Sequence, residues 1–371
     1  MNARTYLAAG ASCLSTVLVL VALTLAVNGN AALASQDTES APAPEPRSFT
    51  VLVGVGQDTA SGSAFFPRTI RIRAGDMVTW RINSDEPNAM AFLSGAPYPP
   101  IPVAIPGGGP GEAMFNPQIA FPSRHPGEPV ETYSGTGFRG SGVLDKRTPP
   151  GAPPNEEFSL VFDTPGMYPY VSLFSRQIMQ GLVIVEPANA TGLPSQADVD
   201  AQAQAEMANM LARLDAARAQ GQVVRRDAGP NNTSIVHVRA GVRDEVEELG
   251  AEILDFFPKD LTVRAGDTVV WGSTFFHSVT FSPSPPPPDL FIERPQPAGP
   301  PMLLLNPLAF APAKPAAVFD PTQHFSSGLI GPFGGGAFTW ALTFERPGTF
   351  EYVCVFHHEF GMKGTITVQA R

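Results

Sequence analysis

The stretch YVCVFHHEFGMKGTITV, residues 352–368, concentrates side chains that could bind a metal. It contains Cys354, the adjacent His357 and His358, and Met362. A lone cysteine is often a small buried hydrophobe, but a thiolate, an imidazole and a thioether in one short loop are soft ligands that suit copper. A mononuclear type 1, or blue, copper site uses two histidines, one cysteine and a weakly bound methionine. The loop offers three of these four ligands, so the second histidine must come from another part of the chain.

His277 is the candidate for that second histidine. It lies in VRAGDTVVWGSTFFHSVTF, residues 263–281, where DTVVW has the alternation of a strand and HSVTF indicates the start of the next one. Three other histidines lack this setting: His125, His237 and His324. Within the cysteine loop we favour His357 as the ligand, because two residues between cysteine and histidine is the usual spacing, and we expect His358 to face solvent.

Two segments of the chain resemble the plastocyanin and pseudoazurin family of cupredoxins. RAGDTVVWGSTFFHSVTF is similar to the family's first-ligand segment, and PGTFEYVCVFHHEFGMKGTITV is similar to its Cys-x2-His-x4-Met loop between the last two strands. The resemblance implies one copper ion per chain, cycling between Cu(I) and Cu(II), bound by His277, Cys354, His357 and Met362. It covers roughly the last third of the chain, and its motif is specific in ligand types and spacing. The proline-rich insertion between His277 and Cys354 is longer than simple plastocyanins carry, so the surface around the copper departs from theirs.

The composition sets the broad class of protein. The 371 residues allow two or more domains. The 40 prolines and 35 glycines, with only 16% charged residues, favour many short strands over long helices. A net charge of −10 argues against nucleic acid and against an anionic membrane surface as partners, and it suits a basic redox partner.

The N-terminus has the pattern of an export signal. Arg4 precedes the uncharged apolar run CLSTVLVLVALTLAV, and ALA at residues 32–34 has the small-x-small pattern of a cleavage site. We predict a signal peptide over residues 1–34 and a flexible proline-rich spacer over 35–47. The alternative is an uncleaved membrane anchor, because residues 7–27 are nearly long enough to span a bilayer. The cleavage pattern favours the signal peptide, which would place the protein in the periplasm or outside the cell.

An internal repeat divides the rest of the chain. FPRTIRIRAGDMVTW, residues 66–80, matches FPKDLTVRAGDTVVW, residues 257–271, and FDTPGMYPYV matches FERPGTFEYV. A repeat of this length predicts two copies of one domain. Together with the resemblance, it predicts an all-β chain of two tandem cupredoxin-like Greek-key β-sandwiches, at residues 48–188 and 232–371, with long proline-rich loop insertions.

The first copy lacks the copper ligands. Alignment of the copies places Asn88 at the position of His277, Ser172 at that of Cys354 and Ser175 at that of His357. Met179 alone keeps the ligand type. We favour a structural role for this copy, as a packing platform for the second. The alternative is that it docks a partner or binds a ligand.

The linker between the copies, residues 189–231, has a different composition. Residues 195–221 are rich in alanine and glutamine and predict a helix. Ser195 and Asp198 have the spacing of a capping box, and Gly221 fits just past the end. We expect Met207, Leu211 and Leu214 to form its packed face.

A buried soft-ligand copper site is suited to passing single electrons with little rearrangement. The leading hypothesis is therefore an electron-transfer protein outside the cytoplasm with an unidentified redox partner, and not an enzyme. One alternative is a copper oxidoreductase of the two-domain cupredoxin type, but Val353 and Val355 flank Cys354 and no His-x-His pair occurs. The other is a copper-binding or copper-delivery protein without a redox circuit, which would tend to cluster its methionines, whereas the ten here are scattered.

Overall fold

Strands are the main regular element of the described structure, as a chain rich in short apolar runs, prolines and glycines predicts. The computed structural model describes residues 45–109, 112–124, 127–147, 155–221, 224–243, 250–273, 275–313, 317–331 and 338–371. The predicted signal peptide and the predicted spacer as far as residue 44 lie outside the described residues. None of the described helices has the length and hydropathy that crossing a bilayer requires.

The first repeat contributes the strands before the connecting helix. They are β1 (Ser48–Val55), β2 (Ala60–Phe66), β3 (Thr69–Arg73), β4 (Met77–Ile82), β5 (Asn88–Phe92), β6 (Pro102–Ala104), β7 (Ala113–Phe115), β8 (Glu131–Thr132), β9 (Arg139–Leu144), β10 (Glu157–Val161), β11 (Gly166–Ser172) and β12 (Arg176–Glu186). A short helix, α1 (Pro117–Ala120), lies in the insertion between β7 and β8.

The connecting helix α2 (Gln196–Gln220) is followed by one strand within the predicted linker and then by the strands of the second repeat. They are β13 (Arg225–Ala228), β14 (Ser234–Arg243), β15 (Ala251–Phe257), β16 (Asp260–Arg264), β17 (Asp267–Gly272), β18 (Thr280–Phe281), β19 (Phe291–Arg294), β20 (Met302–Leu305), β21 (Phe325–Ser326), β22 (Thr339–Phe344), β23 (Gly348–Val353) and β24 (Lys363–Gln369). The short helix α3 (Pro307–Phe310) and 3₁₀ turns at Pro230–Asn232 and His358–Phe360 complete the described elements.

The predicted all-β architecture is confirmed, with one sandwich in each repeat. The first repeat has its own sheet in the order β3-β12-β11-β5-β9, and the second has the equivalent sheet β16-β24-β23-β18-β21. Each packs against one half of a single ten-stranded sheet, β22-β17-β14-β15-β2-β1-β4-β10-β8, in which β13 lies beside β14. Because the repeats share this sheet, the domain boundaries at residues 48–188 and 232–371 stay a prediction.

The shared sheet is joined by equivalent strands. β2 of the first repeat pairs antiparallel with β15 of the second, and Ser61 lies opposite Glu252, its counterpart in the repeat. Gly62 lies opposite Ala251 on one side of this pair, and Ala60 lies opposite Ile253 on the other. The two sandwiches are therefore related by a local two-fold axis at Ser61 and Glu252, as in an isologous dimer interface.

Each sandwich is filled by the same aromatic cluster. In the first, the ring of Trp80 lies 5.4 Å from that of Phe92 and 5.1 Å from that of Tyr170. In the second, Trp271 lies 5.8 Å from Phe281 and 5.4 Å from Tyr352. Burial of such large apolar surfaces is the main favourable term in folding, so the repeated cluster explains why both copies keep the same architecture.

Helix α2 covers the junction between the repeats. The predicted capping box is present: the Ser195 side chain accepts from the Asp198 backbone N–H, and the Asp198 carboxylate accepts from the Ser195 N–H. The predicted packed face is partly wrong, because Leu211 is 45% exposed. The buried face instead follows a helical spacing through the alanines and larger apolar residues Ala203, Met210, Leu214 and Ala217. These pack against residues of both repeats: Val55, Phe66, Val242, Ala251, Ile253 and Phe257.

The proline-rich insertions are more ordered than the sequence predicts. Rather than remaining irregular loops, they supply the strands of a further sheet, in the order β19-β20-β7-β6. Leu304 of the second repeat pairs with Met114 of the first in this sheet. The insertions therefore join the two repeats at a second place.

Candidate metal centre

The predicted ligands come from two connections at one end of the second sandwich. His277 lies three residues before the start of β18 and is anchored by a bridge to Ile330, whose backbone N–H donates to the His277 carbonyl at 2.8 Å. Cys354 follows the last residue of β23, and Met362 precedes the first residue of β24. The sheet therefore fixes both ends of the ligand loop and places it against His277.

The ligand loop is held in shape by its own backbone. The Cys354 N–H donates to the Met362 carbonyl at 3.2 Å, and the His357 N–H donates to the Cys354 carbonyl at 3.1 Å. The Met362 N–H donates in turn to the His357 carbonyl at 3.1 Å. Gly361 closes the 3₁₀ turn with a φ of +99°, a backbone conformation that favours glycine. The spacing of the three loop residues is thus set by hydrogen bonds that need no metal.

Three of the four predicted ligands converge in the described structure. The Nδ1 atoms of His277 and His357 lie 3.1 Å apart, and the Cys354 Sγ lies 3.9 Å and 3.4 Å from them respectively. The centre of such a triangle is about 2 Å from every corner, close to the ~2.0–2.3 Å of metal bonds to imidazole nitrogen and thiolate sulfur. The donor set is soft and carries one thiolate, so these residues fit copper.

Met362 lies in the same buried cluster as Cys354. Both residues are completely buried, and their backbones are joined by the hydrogen bond described above. A thioether is a weak, long ligand, so its contribution depends on its placement near the copper rather than on charge. The assignment of Met362 as the fourth, axial ligand stays a prediction.

Ser278 contacts the cysteine sulfur, a role that the sequence did not reveal. Its backbone N–H donates to the Cys354 Sγ at 3.3 Å, and its hydroxyl lies 3.8 Å from the same atom. The hydroxyl also accepts from the Val355 N–H at 3.0 Å. Hydrogen bonds to a ligand sulfur withdraw electron density from it, so Ser278 is placed to tune the metal.

A carboxylate orients the first imidazole. The Nε2 of His277 lies 2.9 Å from the Glu252 Oε1, and both side chains are buried. With Nε2 donating to this carboxylate, Nδ1 is left free to face the metal. Gly241 makes the space: its φ is +75°, and a Cβ there would overlap the His277 Nε2. This glycine lies at the bulge of β14 opposite β15.

A second carboxylate approaches the other imidazole from the first repeat. The Glu86 Oε1 lies 3.7 Å from the His357 Nε2, an ion-pair distance rather than a hydrogen bond. The Ser61 hydroxyl donates a hydrogen bond to the other carboxylate oxygen of Glu86. His357 is only 5% exposed, so the first repeat covers the edge of this predicted ligand.

The charges of the site reinforce one another. Burial by itself raises the pKa of the Cys354 thiol, but the positive charge of His357 and hydrogen bonds from both histidines outweigh it and hold that pKa well below its usual value. Burial lowers the pKa of His357, but the Cys354 thiolate and the Glu86 carboxylate raise it to about 10. The cysteine is therefore held as the thiolate, which is the form that binds metal.

The other histidines lie elsewhere. His358, expected to face solvent, is half-buried and lies outside the ligand group, and the choice of His357 as the ligand stays a prediction. His237 Nε2 lies 2.8 Å from an Asp227 carboxylate oxygen, and His324 Nε2 lies 3.1 Å from the Leu308 carbonyl oxygen. His125 lies outside the described residues. Within the part of the chain that the structure describes, His277, Cys354 and His357 form the one such metal-binding group.

The equivalent place in the first repeat is closed. Val171 pairs with Ala91 as Val353 pairs with Thr280, so Asn88 occupies the His277 position as the alignment predicts. The Asn88 amide donates to the Met179 sulfur at 3.4 Å. The Ser172 hydroxyl accepts from the Ser175 backbone N–H at 2.9 Å. These buried groups bond to one another, and the hydroxyls and amide present are poor ligands for copper.

Fold and site together define a class of protein: two cupredoxin-like sandwiches with one mononuclear copper centre, located in the second. The comparisons with known proteins agree. Residues 243–369 match the family described as copper binding proteins, plastocyanin/azurin family. The second repeat thus resembles the plastocyanin/azurin family, and the chain binds one copper ion there.

Individual relatives each match about a third of the chain. A chloroplastic plastocyanin of Physcomitrium patens is 31% identical over 117 residues, which are 31% of this chain and 51% of the plastocyanin. The chain therefore spans about half the length of this curated relative. Oxidized plastocyanin from Dryopteris crassirhizoma is 19% identical, covering 36% of this chain and 99% of that one, with a TM-score of 0.20. A Cu(I) form of an amicyanin variant is 18% identical, covering 31% and 74% of the two chains, with a TM-score of 0.18.

Proposed function

We propose that this chain is an exported one-electron carrier that uses the copper centre of its second repeat. The observation that carries the proposal is the buried triangle of the Cys354 sulfur and the two imidazole nitrogens. Bound copper supplies a one-electron couple between Cu(I) and Cu(II). The protein's part is to hold the same ligand positions in both states, so that electron transfer needs little rearrangement.

The contacts around the ligands supply that rigidity. Glu252 holds the His277 ring, Ser278 contacts the sulfur, and backbone hydrogen bonds fix the loop between Cys354 and Met362. All four proposed ligands are buried, which excludes water from the metal. A ligand set fixed from outside in this way resists the change in geometry that oxidation and reduction would otherwise impose.

A carrier is favoured over a copper oxidoreductase by the residues next to Cys354. Valines precede and follow the cysteine, so neither neighbour can bind a second metal beside the first. A delivery protein has to release its metal, whereas this site is buried and backed by a carboxylate on His277. These features support electron transfer, with export directed by residues 1–34 and an unidentified redox protein as partner.

The full chain, loaded with copper, tests the proposal. We expect one copper per chain by elemental analysis and an intense blue or green absorption that bleaches with ascorbate and returns with ferricyanide. We also expect slow copper release to a chelator. A colourless Cu(II) protein, or steady consumption of oxygen or nitrite by the loaded protein, would replace the carrier with another function.

A further inference from the structure

The ligand-less first repeat contributes a charged side chain to the copper centre. Glu86 lies in the connection between β4 and β5 of the first repeat, yet its carboxylate faces the His357 ring of the second. We propose that Glu86 is a positioning residue for the copper ligand His357 and part of what sets the reduction potential. This inference rests on the proposed function, because a potential requires a redox-active metal.

The carboxylate is aimed at the imidazole by other groups of the first repeat. The Ser61 hydroxyl occupies the Glu86 Oε2, which leaves Oε1 as the atom directed at the His357 Nε2, 3.7 Å away. The Ser84 hydroxyl donates to the backbone carbonyl of Glu86 at 2.7 Å and fixes this part of the connection. The geometry therefore does not depend on a freely rotating surface side chain.

Each of the two proposed histidine ligands faces a carboxylate, and the two carboxylates come from different repeats. Glu252, from the second repeat, accepts from the Nε2 of His277, and Glu86, from the first, faces the Nε2 of His357. The hydrogen bond to Glu252 directs the His277 proton to Nε2, and the charge of Glu86 favours a proton on the His357 Nε2, so both rings leave Nδ1 for the metal. Glu252 and Ser61, the residue that holds Glu86, lie opposite each other where β15 pairs with β2. The junction between the repeats thus runs directly behind the copper ligands.

Further contacts keep the first repeat on the ligand loop. Arg147 forms an ion pair with Glu359, and its guanidinium lies 4.3 Å from the centre of the Phe360 ring. Outside the ligand loop, the Leu254 N–H in β15 of the second repeat donates to the Thr59 carbonyl of the first at 2.6 Å. Glu359 and Phe360 belong to the turn between His357 and Met362, so Glu86 and Arg147 contact the loop at two points.

The expected effect follows from charge. A carboxylate near the site favours Cu(II) over Cu(I), because the oxidised centre carries one more positive charge. Loss of an outer partner of a metal ligand typically costs about 10–100-fold in metal affinity. If Cu(II) loses about tenfold more affinity than Cu(I), the one-electron potential rises by about 59 mV.

The test compares two charge-removing variants in the same connection of the full chain. Glu86→Gln keeps the size and the bond from Ser61, and we expect it to retain copper and colour but to raise the reduction potential. Asp85→Asn is the matched control, because Asp85 faces away, toward Lys146 and the Asp58 N–H. Glu86→Asp, which keeps the charge, should restore most of the native potential. Equal potentials for Glu86→Gln and Asp85→Asn would overturn the proposal.

A measurement without mutation covers the case in which Glu86→Gln does not fold. In the reduced, diamagnetic protein, NMR should show a slowly exchanging His357 Nε2–H with a cross-relaxation contact to the Glu86 side chain. A proton on Nδ1 instead, or no contact with Glu86, would overturn the assignment. The same NMR measurement on the zinc-loaded protein also shows which nitrogen of His357 carries the proton. A native protein without a visible copper band would therefore contradict the proposed function but not the placement of Glu86.

Discussion

The two repeats share one scaffold and differ in what their loops contain. Both bury the same tryptophan and tyrosine, Trp80 and Tyr170 in the first and Trp271 and Tyr352 in the second. In the second repeat, the end of the sandwich holds a thiolate and two imidazoles. In the first, the same positions hold an asparagine and two serines that bond locally. The comparison shows that the fold is stabilised by its aromatic core and that the ligand positions can change independently.

The largest expected contrast comes from the cysteine position. Cys354→Ser removes the thiolate that gives a blue copper centre its intense absorption, so we expect complete loss of the visible band. The matched change in the first repeat is Ser172→Ala, which should leave the spectrum and the copper content unchanged. Absorption and metal analysis check both variants, and a visible band that survives in Cys354→Ser would show that another residue binds the metal.

Two equivalent glycines provide the next contrast. Gly241 and Gly54 both adopt a φ in the left-handed region, at +75° and +73°. An alanine at either position should cost about 1–2 kcal/mol of folding free energy from backbone strain alone. Gly241→Ala also crowds the His277 ring, whereas Gly54→Ala crowds Ser84. Urea unfolding should show both losses of folding free energy. Gly241→Ala should weaken copper binding more than Gly54→Ala does, because Ser84 reaches the copper site only indirectly, through Glu86. Equal copper affinity in the two variants would contradict the role of Gly241 in placing His277.

The two buried methionines separate a metal ligand from a core residue. Met362→Leu removes the proposed axial thioether, and we expect the reduction potential to rise because Cu(II) loses a donor. Met179→Leu in the first repeat conserves volume and should cost less than about 1.5 kcal/mol of stability. The reduction potential of the Met179→Leu protein should equal that of the native protein. If Met362→Leu also leaves the potential unchanged, the predicted axial ligand is wrong.

The smallest effect concerns the polar residue left in the first repeat. The Asn88 Oδ1 is buried and has no hydrogen-bond partner among the described residues, which costs folding free energy. Asn88→Leu has a similar size and should stabilise the protein by about 1 kcal/mol, measured as a higher urea midpoint. The counterpart His277→Leu should instead abolish copper binding. A destabilised Asn88→Leu would mean that the weak bond from Asn88 to the Met179 sulfur contributes more than the unpaired oxygen costs.

Local sequence was enough to predict the ligand loop. Cys354 and His357 lie within one short connection, whose geometry is set by nearby backbone hydrogen bonds, and the strand pattern around His277 identified the remaining imidazole. The capping residues of α2 were predictable for the same reason, because Ser195 and Asp198 bond to each other.

Residues that act across the fold could not be predicted in this way. Glu252 carried a usable signal. The strand AEILDFF is apolar apart from Glu252 and Asp255, and a carboxylate buried in such a strand requires a partner. Glu86 carried none, because it lies in a polar connection and meets His357 only through the pairing of β2 with β15. Leu211 was misassigned because part of the buried face consists of the alanines Ala203 and Ala217, which a search for large apolar residues overlooks.

The pairing of β2 with β15 makes the contact between the two sandwiches independent of protein concentration. Two separate sandwiches joined by the same antiparallel contact would form a dimer that dissociates on dilution. With both sandwiches in one polypeptide, the contact is intramolecular and its effective concentration is fixed by the chain. The strand edges that pair here are no longer open to another molecule. Glu86 therefore stays opposite His357 even in the most dilute solution.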